Sequence, residues 1–258
     1  MQNRESEKLL EDAGSLTRAG RLHDANTLLE QACRQNPENA DAWIMRGATC
    51  LGLGDLQNAR TALETAKGLA PSMPRIYYHL AILCRNTGKL DEAVSNIEKA
   101  MAIDPGHKDT ILVACSLYSL SGQSHAQRGE IEKSAKAYSA LLKLKPDAGE
   151  AFYGLGFADY SRGNLDQAAV WFKHAMDINP GHIDAATSLG SVYQTLGRYE
   201  NALECFDRVL ANRPGLVQAL FGKASALIEL ARHQDAIKIL RQIIELKPDY
   251  APAYINLA

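Results

Sequence analysis

Residues 149–182 read GEAFYGLGFADYSRGNLDQAAVWFKHAMDINPGH, and their layout recurs along the chain. The clearest marker is the proline near the end of this stretch. Pro37, Pro71, Pro105, Pro146, Pro180, Pro214 and Pro248 follow one another at intervals of 34, 34, 41, 34, 34 and 34 residues. A fixed period near 34 is the mark of stacked helical hairpins, in which no unit can bury its apolar face alone and each leans on its neighbours. The spacing therefore predicts an all-α chain whose function lies in a surface, not in a catalytic cleft.

Counting Gly149 as position 1, Phe152 stands at position 4 and Gly156 at position 8. Residues four apart share a helical face, and the small one lets a neighbouring helix approach closely. The same large-then-small pair recurs as Trp43 and Gly47, Tyr77 and Ala81, and Leu220 and Ala224, so position 4 is expected to fill a pocket between helices. Gly163 at position 15 ends this first helix as a left-handed cap would, and Gly20, Gly54, Gly88, Gly129 and Gly197 repeat it. In the second helix Ala168, Phe172 and Ala175 occupy positions 20, 24 and 27 and line the seam between hairpins. Pro180 then stops the helix, because it lacks an amide hydrogen and its ring clashes with a preceding carbonyl.

This order of large, small, Ala, aromatic, Ala and Pro resembles the tetratricopeptide repeat family across nearly the whole chain. The resemblance implies a right-handed superhelical solenoid of antiparallel helical hairpins. Seven repeats fill residues 6–250, at 6–39, 40–73, 74–107, 108–148, 149–182, 183–216 and 217–250, and residues 251–258 match the first half-helix of a truncated eighth. The departures are few. Asp12, Arg46 and Lys223 sit at position 7, where the family has Leu, and Ala231 replaces the turn glycine. Those places are expected to pack less well.

The fourth repeat carries seven extra residues, and both Gly122 and Gly129 qualify as its turn glycine, one in frame with the repeats before it and one with those after. Seven residues make nearly two full helical turns with a drift of only ~20°, so the first helix can lengthen without rotating its packing face. Continuous helix is expected from about Thr110 to Arg128, although Gly122 inside it costs about 1 kcal/mol in propensity.

A charge of −2 from 28 basic and 30 acidic residues, with no block of one sign, argues against a nucleic-acid ligand. No apolar run is long enough to cross a bilayer, and the polar start lacks the core of a secretory signal, so a cytoplasmic protein is expected. The five cysteines are odd in number and form no Cys-x-x-Cys pair, which fits buried free thiols better than a disulfide framework or thiolate metal site. Gly52-Leu-Gly54 and Gly154-Leu-Gly156 follow no strand and complete no phosphate-binding pattern. The histidines lack paired-ligand spacing, and no nucleophile elbow occurs. No catalytic residue, metal site or cofactor is expected.

In the family, positions 2, 5, 6, 9, 12 and 13 of the first helices face a concave groove. That code selects Tyr78, His79, Ile82 and Arg85 from the third repeat, and Leu112 and Ser116 from the fourth. It also selects Tyr153, Phe157 and Tyr160 from the fifth and Phe221 from the seventh, with the more polar Thr187, Ser188, Ser191 and Gln194 in the sixth. Aromatic side chains at such positions suit an extended peptide or a helical segment of a protein partner. The reading is a non-enzymatic scaffold or adaptor. Its alternative is the N-terminal, substrate-recruiting part of a larger modifying enzyme, a glycosyl- or sulfotransferase, with its catalytic domain beyond residue 258. The half-repeat at the end also raises the expectation of a homo-oligomer formed through an uncapped C-terminal face of Ile239, Leu240, Ile243 and Ile244.

Overall fold

The computed structural model describes residues 2–257, and the side chains of 5–257. The described residues form helices and turns, without a strand. The helices come in pairs: α1 (Gln2–Arg18) with α2 (Leu22–Gln35), α3 (Ala40–Leu53) with α4 (Leu56–Leu69), α5 (Pro74–Asn86) with α6 (Leu90–Ile103), and α7 (Lys108–Gln127) with α8 (Ile131–Leu144). Then follow α9 (Gly149–Ser161) with α10 (Leu165–Ile178), α11 (Ile183–Thr195) with α12 (Tyr199–Asn212), α13 (Val217–Glu229) with α14 (His233–Leu246), and α15 (Ala251–Ile255).

The chain forms two compact units, Met1–Ser121 and Gly122–Ala258, so the boundary falls inside α7. In the first unit each helix from α1 to α6 packs on the next, and α3 also touches α5. In the second the same holds from α8 to α15, with α11 touching α13. The first helices α3 and α5 thus lie side by side in the first unit, as α11 and α13 do in the second.

Six glycines end first helices with φ between +70° and +80°. At the seventh such turn Ala231 takes φ +55°, the only positive value at a non-glycine residue among those described. The expected departure is real. The backbone demands the left-handed conformation whatever residue the sequence supplies, and Ala carries the clash of its Cβ with the following carbonyl.

The seven extra residues are helical, as the frame argument requires. α7 has 20 residues where α9 has 13. Gly122 lies against Tyr138: a Cβ there would come within 2.8 Å of the Tyr138 ring. The Ser134 hydroxyl donates to the Gly122 carbonyl at 2.9 Å, tying α8 to the same point. Counted back from the cap Gly129, Gly122 is position 8 of the repeats that follow, so it does for α8 what Gly156 does for α10.

Position 4 meets its expected role at Leu220, only 2% exposed, while Trp43 and Tyr77 pack against the core half-buried and Tyr254 is 48% exposed. The polar tips of these three rings share one use. The Trp43 indole donates to the Pro37 carbonyl at 2.8 Å, the Tyr77 hydroxyl to that of Pro71 at 2.8 Å, and the Tyr254 hydroxyl to that of Pro248 at 3.0 Å. Each ring is a strut across the turn between repeats, fixed to a carbonyl that the proline leaves free of the helix ladder. The deep core comes from neighbours such as Ile44, Leu63, Ile76 and Leu83, all fully buried.

The position 7 departures also behave as expected. Leu80, Leu155 and Leu189 are buried there, whereas Asp12 is exposed and Lys223 pairs with Asp207 at 2.6 Å. The Arg46 guanidinium lies 5.7 Å from the Trp43 ring centre, and its Nε is buried without a hydrogen-bond partner. At the far end of the second unit α15 packs on α14, leaving Leu240, Ile243 and Ala253 fully buried and Ile239, Ile244 and Leu257 partly so.

Two outcomes follow from the turns. Ala231→Gly is expected to stabilise the protein by roughly 0.5–1 kcal/mol, since relief of left-handed strain exceeds the added entropy of glycine; urea denaturation should show a higher midpoint. Tyr77→Phe removes only the strut's hydrogen bond and is expected to cost about 0.5–1.5 kcal/mol, with hydrogen exchange rising around residues 69–77.

Candidate functional site

In the second unit α9 carries Tyr153, Phe157 and Tyr160 at positions 5, 9 and 12, a spacing that sets them along one helical face. With Thr187, Ser188 and Ser191 of α11 and Gln218 of α13 they line a partly open cavity of about 200 Å³. Its floor is Phe172 of α10, only 1% exposed. That ring reaches the cavity because Gly156 has no side chain: a Cβ there would lie 2.6 Å from it.

The aromatic residues divide into two kinds. Tyr153 is half-buried and packs its ring 5.7 Å from that of Phe172 and 5.0 Å from that of His182. It therefore helps hold α9, α10 and the start of α11 together besides lining the cavity. Phe157 and Tyr160 stand 41% and 43% exposed. Phe221 does not join the cavity; it meets Tyr250 edge-on at 5.5 Å.

The opposite wall is polar but uncharged. The Thr187 hydroxyl donates to the Ile183 carbonyl at 2.8 Å, and that of Ser191 to the Thr187 carbonyl at 3.1 Å. Both of these protons are spent on the helix's own backbone, whereas Ser188 and the Gln218 amide bring further donors to the lining. The lining therefore offers donors and acceptors alike. None of the lining side chains carries a formal charge at neutral pH.

In the first unit the residues selected by the sequence are less concentrated. Tyr78 packs edge-on against His79 at 5.1 Å and His107 at 6.4 Å. Ile82 and Arg85 are half-buried, and Ser116 and Leu112 are exposed, Leu112 at 71%. A cavity of about 460 Å³ lies elsewhere, with Leu10, Leu22, Met45 and Ala48 as its apolar lining and Arg18 and Arg75 among its charged residues. None of these was selected. Yet Leu10, Met45, Ala48 and Arg75 occupy positions 5, 6, 9 and 2 of their repeats, so the positional code was sufficient to find them. Gln218, at position 2 of its own repeat, was open to the same rule.

Burial pushes His79 down to about 4, with the Arg75 guanidinium adding to the effect. All five cysteines are free thiols, four of them buried. Burial raises Cys33 and Cys205 to about 11, which leaves them protonated and inert at neutral pH. Among the described residues no cluster of His, Cys, Asp or Glu is placed to hold a metal ion, and no helix is long and apolar enough to cross a membrane.

Comparison with known proteins bears on this architecture. A family model described as Tetratricopeptide repeat matches residues 13–74, 120–183 and 187–251, and a second of the same description matches 74–107. A Protein CTR9 homolog of Arabidopsis thaliana is 24% identical over 135 residues, 52% of this chain and 12% of that protein. The structure of Naa15/Naa10 bound to HypK-THB superposes with a TM-score of 0.69 at 18% identity, covering 98% of this chain and 38% of that one. YrrB, described as a TPR protein with an unusual peptide-binding site, gives 0.55 at 23% identity over 76% of this chain and 97% of its own. The chain thus spans a minor part of the first two, and identities this low establish fold alone.

The buried histidine supplies a pH test. His79 stays neutral in the folded state until about pH 4, whereas in the unfolded chain it protonates near 6.5. The unfolded state binds more protons between those values, so stability is expected to fall as pH drops from 6.5 towards 4. Side-chain NMR should give His79 a midpoint near 4, and His79→Gln should flatten the pH dependence of unfolding of the first unit across that window.

Proposed function

Since the chain belongs to the tetratricopeptide repeat family, we propose that it is a non-catalytic adaptor that holds an extended or helical segment of a protein partner on its first-helix face. The observation that carries this reading is the cavity of the second unit, where Phe157 and Tyr160 stand exposed above the buried Phe172 ring. Large exposed rings around a cavity are the kind of surface that dominates binding energetics, because they offer contact area at low conformational cost. The peptide-binding description of YrrB is of the same class of function. Five free thiols suit a reducing compartment, and we place the protein in the cytoplasm.

A second reading follows from length. The chain covers 12% of the CTR9 homolog and 38% of the structure with Naa15/Naa10, so arrays of this kind sit within longer chains. On that reading the array recruits substrate for a modifying enzyme, and a partner bound at the cavity would be that substrate.

The adaptor reading is tested with a displayed library of random peptides selected on the intact protein. Phe157→Ala combined with Tyr160→Ala is expected to weaken selected peptides by about 2 kcal/mol or more, roughly thirtyfold in affinity, while helicity stays unchanged. Tyr153 is left intact, because its ring supports the fold. Selected peptides that bind the double variant as tightly as the parent would remove the cavity from the function.

A further inference from the structure

We propose that His182 is a proton-operated latch on the cavity of the second unit: neutral, it holds the start of α11, and protonated it lets that turn go, so partner binding weakens in mild acid. This rests on the adaptor reading and adds a control to the same site. The half-buried ring stands at the N-cap of α11, where its Nδ1 accepts the backbone N–H of Ala185 at 3.2 Å. A nitrogen that accepts carries no proton, so the neutral ring holds its hydrogen on Nε2. The capped turn leads directly into the cavity. The Thr187 hydroxyl in the lining donates to the carbonyl of Ile183, the residue after His182, at 2.8 Å. The imidazole also lies 5.0 Å from the Tyr153 ring, which lines the other wall. One side chain is thus linked to both walls.

Protonation undoes the cap. A proton on Nδ1 sets donor against donor at Ala185 and places a cation at the positive end of the helix dipole. Histidine is the side chain suited to such a change near neutral pH. A tyrosine face attracts cations, so the contact with Tyr153 does not oppose the charge. The imidazolium keeps that contact only by turning Nδ1 away from Ala185, and the cap is lost either way. Of the ionisable groups on the elements around it, α9 carries Glu150 and Tyr153, α10 carries His174 and Asp177, and α11 carries Asp184. Among the described residues no carboxylate forms an ion pair with the ring, so the cap is the interaction that the proton changes. The arrangement recurs after the other Pro-Gly-His turn. His107 Nδ1 accepts the Thr110 N–H at 3.3 Å, and its ring lies 6.4 Å from that of Tyr78.

Amide NMR of the intact chain, titrated from about pH 8 to about pH 5, reads the latch without any partner. The Ala185 and Thr187 amides are expected to shift with the same midpoint as the His182 ring. Amide exchange at 185–187, corrected for its intrinsic pH dependence, should rise at least about threefold in the protonated form, the scale of a lost N-cap. His182→Asn keeps a capping acceptor that does not titrate, so both changes should vanish in that variant. Library peptides without titratable residues, selected near neutral pH, should bind the parent at least about threefold more weakly at about pH 5.5 and His182→Asn equally at both values. An Ala185 amide that does not follow the His182 ring would overturn the proposal, and that measurement needs no variant to fold. Parent binding that is the same at both pH values would also overturn it, as would an equal loss in parent and His182→Asn. Peptides indifferent to Phe157→Ala with Tyr160→Ala would instead remove the adaptor site, and the amide titration would then decide the latch by itself.

Discussion

The fold depends on rings and branched side chains resting where a glycine leaves room. A Cβ on Gly47 would lie 2.6 Å from Leu63, on Gly156 2.6 Å from Phe172, and on Gly190 2.8 Å from Phe206. Each of these large residues is position 24 of the same repeat, on its second helix. The next repeat makes the same concession: a Cβ on Gly154 would meet Tyr138 at 2.1 Å, and on Gly222 would meet Phe206 at 2.4 Å. One ring thus wedges against the first helices of two successive repeats and sets how closely they approach. Contacts this tight leave no space for a methyl group, and overpacking of such cores costs about 1–3 kcal/mol. The same approach brings Phe172 up to the cavity floor, so the site inherits its geometry from the packing rule.

That rule also explains how α7 absorbs an insertion. A segment of arbitrary length would carry the position 8 glycine away from the ring it must receive. Seven residues return a helix almost to its starting face. Cys115 holds position 8 counted from the start of the repeat and Gly122 holds it counted back from the cap, so one continuous helix serves two frames. Gly122 receives Tyr138 in the second unit, while Tyr118 in the first unit reaches Glu98 of α6 through its hydroxyl at 3.2 Å. The boundary between the compact units, at Ser121 and Gly122, falls where the frame changes.

The fold was legible because it is written in backbone requirements: proline where a helix must stop, glycine where φ must be positive or a ring must enter. Those demands are local and survive in sequence. The site was only partly legible, because a positional code says which way a side chain points and not what it touches. Tyr153 and Phe157 obey the same code, yet Tyr153 lies between Phe172 and His182 while Phe157 stays open. Phe172 was assigned to the seam between hairpins and does lie there, but its edge also reaches the cavity past Gly156, a route visible only in three dimensions. The strut role that Trp43 and Tyr77 add to their packing was not legible for a related reason. Their spacing from Pro37 and Pro71 is fixed in sequence, but the carbonyl that accepts their hydrogen bonds is exposed only by the shape of the turn.

The two units show how a repeat separates location from chemistry. Each has a cavity built from nearly the same positions of its first helices, so the scaffold determines where a ligand can sit. The residues at those positions differ in kind. The first cavity has Glu11, Arg18 and Arg75 among its lining, and Arg75 is already paired with Asp41 at 3.1 Å. A ligand there meets charge of both signs on an aliphatic floor. The second has rings, hydroxyl and amide groups and no charge. Position 6 of that face is constrained where a ring enters, as at Gly154 and Gly222, so most of the difference is carried by the other lining positions. Ligand chemistry can therefore change from repeat to repeat while the glycines and prolines that hold the array remain fixed.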